Sequence, residues 1–351
     1  MNKELYRADQ LPVFQNRMFR SAEAAQSCAR GDVVLVQDPR TGLVFNGAFR
    51  PELMQYDADY QNEQAVSSVF RTHLDEITGI VERHFRGRSL IEVGCGKAYF
   101  LEHLQELGYV ITGIDPAYEG DNPKVVKARF SREAGLRADG LILRHVLEHI
   151  QQPADFLAEL REANGGGTIF IEVPCLDWIC AHRAWFDIFY EHVNYFRLDD
   201  FRRLFGRVLE AGHVFGGQYL YVVADLASLR DPAQERGVPF AFPADFTASI
   251  GRFADRIRAR GAAVVWGGAS KGVIFSLFMQ RAGARIDRVV DINPAKQGHF
   301  LPATGLRVSS PEEMLAQTAA DTDVYVMNGN YLAEIRRTTQ DRFNYLTVDH
   351  E

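Results

Sequence analysis

LIEVGCGKAYFL, residues 90–101, passes from an apolar run through two glycines into a stretch with helical spacing. It reads as a buried strand, a glycine-bearing turn and a helix start, the unit from which open parallel sheets are wound. Gly94 and Gly96 have no side chain, so the backbone of this turn can come close to a ligand at the head of the sheet. After the next strand, ITGIDPA brings Asp115 roughly 20 residues past the turn, the separation at which an acid accepts hydrogen bonds from ribose hydroxyls. That is a nucleoside-binding arrangement. A dinucleotide fingerprint would have a third glycine where Tyr99 stands. Glu92, just ahead of the turn, suits a cationic amino group better than a pyrophosphate.

Outward from this unit the pattern alternates. SLIEV, AYFLEHLQEL, YVITGID, LILR, PADFLAELREA and GTIFIEVP read as strand, helix, strand, strand, helix and strand, which predicts a parallel sheet covered by helices. Two further strands near 212–214 and 219–224, joined by FGGQ, close enough for an antiparallel pair, end that sheet. Upstream, Val66, Phe70, Ile77, Ile80, Val81 and Phe85 mark a helix. Residues 1–62 are irregular, with strand-like pieces at 33–36 and 43–45 between DPRTG and NGAFRP turns. Beyond LRDPAQERGVPFAFP the cycle restarts. Phe246, Ile250, Phe253 and Ile257 mark a helix, AAVVWGGASKG a strand, turn and helix start, and IDRVVDIN, DVYVMN and FNYLTVD further strands. The expected fold class is α/β, in three parts: an N-terminal lobe (1–64), an α/β domain (65–228) and a second, smaller α/β domain (229–351).

With 351 residues, 46% of them hydrophobic and 24% charged, the chain can bury substantial core. A net charge of −7 opposes a general nucleic-acid role, which leans on clustered Lys and Arg. Four cysteines without a C-x-x-C pair supply neither a disulfide framework nor a zinc knuckle and favour the reducing cytoplasm. MNKELYRADQ lacks the apolar core of a signal peptide, and no run approaches the roughly 18 apolar residues that span a bilayer. A soluble cytoplasmic protein without membrane or nucleic-acid partner is expected.

EVGCG followed by the later Asp115 resembles the first two binding motifs of class I S-adenosylmethionine-dependent methyltransferases. Together with LILRHVLEHIQQPADFL, IEVPCLDWI, FYEHVNYF, WGGASKG and DINPAKQGHFLP, it resembles a three-part family of sugar C-methyltransferases acting on nucleotide-linked keto-deoxysugars. The likeness covers nearly the whole chain. EVGCG is shared by many methyltransferases, whereas YEHVNYF joined to NPAKQG is far narrower. The resemblance implies a Rossmann-like class I domain and a Rossmann-like C-terminal domain that binds the substrate nucleotide. It implies S-adenosylmethionine as methyl donor, with S-adenosylhomocysteine as product.

Carried onto this sequence, the resemblance implies a cofactor site of Glu92, Gly94, Cys95, Gly96, Asp115, Pro116 and Arg144. It places the general base at Glu191 and His192 and a substrate-facing imidazole at His149; Tyr60, in YDADYQN, is a candidate for oxyanion stabilisation and equally a packing tyrosine. From their own places in the chain, Lys271, Asn293 and Lys296 suit a nucleotide diphosphate and Glu172 either the same crevice or a neighbouring loop, and Tyr190 joins them as a substrate residue. The family opens with a lobe holding zinc through four cysteines, and here the sequence departs. DPRT, with Asp38 and Thr41, stands where the second C-x-x-C belongs, so the lobe is expected to hold no metal.

The residues themselves support some of these roles. Removing a proton beside a ketone needs a base with a pKa near the working pH, and an ordinary histidine, at about 6.5, needs little tuning. Without the resemblance, however, His192 in so aromatic a segment reads as core filler. Lys271 in GGASKG fits a phosphate and equally a solvated lysine on a structural turn. His145 to His149 spell the H-x-x-E-H string of inverted zinc peptidases, but they directly follow a strand and no partner motif is visible, so no metal is expected. Two other functions stay open: O- or N-methylation of another small metabolite, and an NAD-dependent oxidoreductase using GGASKG with Asp291.

Overall fold

A computed structural model describes residues 3–54, 60, 64–234 and 237–350 of the chain, which form three sheets. The first begins with β1 (Glu4–Pro12) and, after a short helix α1 (Ala22–Gln26), continues with β2 (Arg30–Gln37) and β3 (Val44–Asn46). β1 is invisible to hydrophobic patterning because its pairing with β2 slips register twice, so its exposure never alternates cleanly. In the turn between β2 and β3, Asp38 Oδ1 accepts the N–H groups of Arg40 and Thr41. A side-chain carboxylate thus closes the turn where related sequences are expected to carry cysteines.

α2 (Ser68–Phe85) starts where Ser67 Oγ accepts the N–H of Val69, and it buries Phe70, Leu74, Ile77, Val81 and Phe85 along one face. Val66, expected on that face, precedes the helix and is exposed. Next come β4 (Leu90–Val93), α3 (Tyr99–Glu106), β5 (Ile111–Ile114), β6 (Val125–Val126) and β7 (Gly140–Arg144). They are followed by α4 (Pro153–Asn164), β8 (Thr168–Pro174), α5 (Leu176–Ala181), β9 (Asn194–Tyr195), α6 (Leu198–Leu204), β10 (Val208–Val214) and β11 (Tyr219–Asp225).

The seven-stranded sheet has the order β10-β11-β8-β7-β4-β5-β6, and only β11 runs against its neighbours. From β4 the chain winds outward to β6, then returns to the other side at β7. The crevice at the carboxyl end of β4, where the winding reverses, is where open α/β sheets bind ligands. β9 does not join this sheet. It pairs with β3, so the middle of the chain donates the fourth strand of the N-terminal sheet.

The last part comprises α7 (Ser249–Arg260), β12 (Ala263–Trp266), α8 (Lys271–Arg281), β13 (Arg288–Val290) and β14 (Val308–Ser309). α9 (Pro311–Gln317), β15 (Asp323–Val326), α10 (Leu332–Thr338) and β16 (Asn344–Thr347) complete it. Its five strands, β14-β13-β12-β15-β16, are all parallel, and the winding reverses beside β12. One apolar cluster runs from Leu11 and Val33 in the first sheet through Trp185 and Phe186 to Phe275 on α8. Trp185 is fully buried, lies stacked 5.8 Å from Phe275, and donates its indole N–H to Ser249 Oγ at 2.8 Å. This shared core turns the glycine turns after β4 and β12 toward one crevice. Among the described residues, no helix is long and apolar enough to cross a membrane.

Candidate active site

The crevice has a volume of about 370 Å³, in the range of small-molecule pockets. One end is the turn after β4. Gly94 has φ +74°, and a Cβ there would lie 2.5 Å from Val146 Cγ2, so both backbone conformation and close approach require glycine. Gly96, at φ +54°, has open space where a side chain would go and donates its N–H to Asp115 Oδ2 at 2.9 Å. Asp115 Oδ1 accepts from Ala117 N–H at 2.7 Å. The carboxylate is therefore fixed at the turn with acceptor capacity left on each oxygen. Neither Asp115 nor Pro116 is among the residues lining the crevice: Asp115 stands beside it, tied to the turn through Gly96, and Pro116 is exposed.

Glu92 and Arg144 both line this end of the crevice. Glu92 is buried, and burial pushes its carboxyl up to about 8 against the pull of Arg144. Its Oε2 has no hydrogen-bond partner. Arg144 stands over the Phe100 ring at 4.6 Å and donates from Nε to Glu172 Oε2 at 2.7 Å, leaving Nη2 buried without a partner. Two orphaned polar atoms of opposite character match the ammonium and carboxylate of an amino acid zwitterion. Cys95 lines the same end, its thiol lifted far above the usual range by burial and so inert as a nucleophile.

In the middle of the crevice stand Tyr60, His149 and His192. The two imidazole centroids are 4.9 Å apart, and His192 also meets the Phe189 ring edge-on at 4.9 Å. Burial, with the nearby His149 and His145, holds His192 well below the usual 6.5. This imidazole is thus neutral over a wider range than an ordinary histidine, rather than near-ordinary as its residue type implies. Glu191 does not serve it. That carboxylate turns away, accepting the Tyr60 hydroxyl at 2.7 Å and the Gln15 N–H at 3.2 Å, and burial raises its pKa. Tyr60 in turn has its one proton directed at Glu191 rather than into the crevice, and accepts from Asn16 Nδ2 at 3.3 Å. Asn16 Oδ1 accepts from Ser270 Oγ at 3.0 Å, so this residue links the N-terminal lobe to the turn after β12.

Two residues expected at the substrate lie elsewhere. Glu172 is fully buried beneath the crevice, holding His73 Nε2 at 2.7 Å as well as Arg144. Tyr190 is buried against Gly31, and its hydroxyl accepts the Arg50 N–H at 2.9 Å. Neither reaches the crevice, because alternate residues of a strand and of a packed loop must face the core.

The far end of the crevice is lined by Lys271, Asn293 and Lys296. Both lysines are already neutralised: Lys271 Nζ lies 3.1 Å from Asp187 and 4.8 Å from the Trp178 ring, and Lys296 Nζ lies 3.2 Å from Asp291. Asp291 Oδ2 also accepts the Gly268 N–H at 2.9 Å, repeating at β13 the bond that Asp115 makes with Gly96. Asn16, Glu148, Asp187 and Gln218 line the crevice too, and sequence reasoning passed over them. Only Glu148 had a signal, its place inside HVLEH. That string is not an α-helix. His145 has φ +53° and residues Leu147–His149 form a 3-10 turn, so the peptidase geometry is absent.

Comparison with known proteins adds to this geometry. Residues 62–208 match the family model of a methyltransferase domain, and residues 244–345 match that of a C-methyltransferase C-terminal domain. No curated protein matches. Among solved structures, the PH0226 protein from Pyrococcus horikoshii is similar at 11% identity and TM-score 0.39, covering 49% of this chain and 99% of its own. A SAM dependent methyltransferase from Archaeoglobus fulgidus is similar at 17% identity and TM-score 0.34, covering 45% and 100%. The 1,6-didemethyltoxoflavin-N1-methyltransferase of Burkholderia thailandensis is similar at 14% identity and TM-score 0.32, covering 45% and 78%. The strand order and the single antiparallel strand β11 are those of the class I methyltransferase Rossmann-like fold.

Proposed function

From a chain that joins a methyltransferase domain to a C-methyltransferase C-terminal domain, we propose an enzyme that transfers a methyl group from S-adenosylmethionine to a carbon beside a ketone of a nucleotide-linked deoxysugar. The observation that carries this reading is an imidazole, His192, set in the same crevice as the Glu92–Arg144 pair, with burial lowering its pKa. In the cytoplasmic setting this implies, the four cysteines are all unpaired. Boundaries near residues 64 and 228 separate the lobe, the cofactor half and the acceptor half.

When bound, the cofactor supplies the methyl group as an electrophile. Glu92 would hold its ammonium and Arg144 its carboxylate, while Asp115 would accept hydrogen bonds from the ribose hydroxyls. His192 takes the proton from the acceptor carbon, and the enolate left behind forms the new carbon–carbon bond as the sulfonium bond breaks. Asn16, with one amide hydrogen on Tyr60 and the other available, is the neutral donor nearest in kind to what the enolate oxygen needs. Glu191 and Tyr60 position Asn16 rather than touch the acceptor. Lys271, Asn293 and Lys296 receive the acceptor's diphosphate, and the lysines must share their cations with Asp187 and Asp291 to do so.

Incubating the protein with methyl-labelled cofactor and a nucleotide-linked 4-keto sugar tests the reaction. The expected product has its label on carbon, seen by NMR and stable to acid. Label on oxygen or nitrogen would move the chemistry to the simpler acceptor class.

Glu92 makes the cofactor reading separately testable. A carboxyl raised to about 8 is protonated at neutral pH and must ionise to pair with an ammonium. Binding then releases up to one proton below pH 8, and affinity rises with pH by up to about tenfold per unit until that value, flattening above it. Calorimetry with S-adenosylhomocysteine in two buffers of different ionisation enthalpy measures the release. Equal heats in both would remove Glu92 from the ammonium.

A further inference from the structure

Glu148 is 1% exposed, and neither of its carboxylate oxygens has a hydrogen-bond partner. Its Oε1 stands 3.3 Å from His145 Nδ1, an ion-pair distance without hydrogen-bond geometry, so that imidazole balances the carboxylate only when protonated. A buried carboxylate without satisfied lone pairs costs several kcal/mol, so the position calls for a cation. His149 and His192 each bring a nitrogen within 4.8 Å of a Glu148 oxygen and of one another. Among the described residues, this is the group of His, Cys, Asp and Glu side chains gathered closely enough to hold a metal ion.

The His149 imidazole is prepared for that role. His149 Nδ1 lies 2.9 Å from the Glu191 carbonyl, which only accepts, so Nδ1 carries the proton and Nε2 the lone pair. An outer hydrogen bond of this kind orients metal-ligating histidines. The 3-10 turn Leu147–His149 sets Glu148 and His149 side by side, and the fold brings in His192, the partner that no motif announced.

We infer that Glu148, His149 and His192 form a site for a borderline divalent cation such as Zn²⁺, whose occupancy sequesters the imidazole of His192. Two imidazoles and one carboxylate suit zinc-like ions, whereas Mg²⁺ and Ca²⁺ call for more oxygen ligands. Ligands at about 2.1 Å from a tetrahedral ion lie ~3.4 Å apart, so the side chains close by roughly 1 Å on binding and leave the fourth position to the crevice. The binding site stands on geometry alone. Its effect on turnover rests on the reading of His192 as the base, because a lone pair given to a metal cannot take a proton.

The full chain, stripped with a chelator and titrated with Co²⁺, provides the test. One equivalent is expected to bind with the strong visible absorption of a four- or five-coordinate ion and to be displaced by Zn²⁺. His192→Gln and Glu148→Gln are each expected to weaken Co²⁺ binding by at least about tenfold, with folding checked by circular dichroism. Only the faint spectrum of a six-coordinate ion, or a signal unchanged by His192→Gln, overturns the site. In the methylation assay, turnover is expected to fall along the Zn²⁺ titration and to return with chelator. Zn²⁺ bound with turnover intact overturns the sequestration. Absence of binding in a protein whose His192→Gln variant is inactive overturns the site and leaves the proposed reaction standing.

Discussion

His192→Gln is expected to lower methyl transfer by roughly 10²–10⁴-fold while leaving S-adenosylhomocysteine affinity unchanged. Glutamine keeps polarity and similar bulk but cannot accept a proton at neutral pH, and His192 is not among the residues proposed to hold the cofactor. The pH profile sharpens the expectation. Burial holds the imidazole well below 6.5, so the wild-type rate should persist as the pH falls through 6.5 instead of halving there. The sign for stability is opposite in consequence. A histidine that stays neutral when folded and charges when unfolded makes the fold lose stability as the pH drops from 6.5 toward the folded value. Single-turnover rates from pH 5 to 8, beside calorimetric affinities, separate the two. A variant retaining wild-type turnover would end the assignment of the base.

Glu172→Gln is expected to destabilise the fold by about 3–5 kcal/mol, although the residue touches no ligand. Burial pushes the Glu172 carboxyl up, but Arg144, His145 and His73 outweigh it and hold the group well below its ordinary value of 4.5. It is ionised in the interior because those partners surround it. A neutral amide would leave the Arg144 guanidinium, only 9% exposed, without its counter-charge. With the folded value depressed, this stabilisation is present above about pH 4.5 and is lost as the pH falls below it. Urea unfolding at pH 7 and at pH 4 measures both effects. A loss under about 1 kcal/mol at pH 7 would show that the network is replaceable packing. Cofactor binding should suffer as well, because Glu172 holds the Nε of Arg144, a residue that lines the crevice.

The readable elements were those whose surroundings are local. β4 to α3 declared themselves because a strand buried on both faces is apolar throughout, apart from Glu92, and a turn with φ +74° at the foot of a packed valine admits only glycine. β10 and β11 were legible from their short glycine connection, and β12, β13, β15 and β16 from short apolar runs. β1 was not, because its bulged pairing hides the period of two, and β9 was not, because Asn194–Tyr195 is a strand only by virtue of lying against β3.

Apolar runs, glycine spacing and the alternation of strand and helix are properties of the chain read in order, and they sufficed for a parallel sheet with a crevice beside its first glycine turn. Which way each side chain faces is a property of packing between distant segments. Only the folded molecule turned Glu191 toward Tyr60 and Gln15, sank Glu172 under Arg144, and tied Lys271 and Lys296 to carboxylates. It also set His192 beside Glu148 and His149. Residues adjacent in sequence diverge because successive side chains of an extended segment point to opposite sides, while residues far apart converge because three sheets bury their apolar faces in one core.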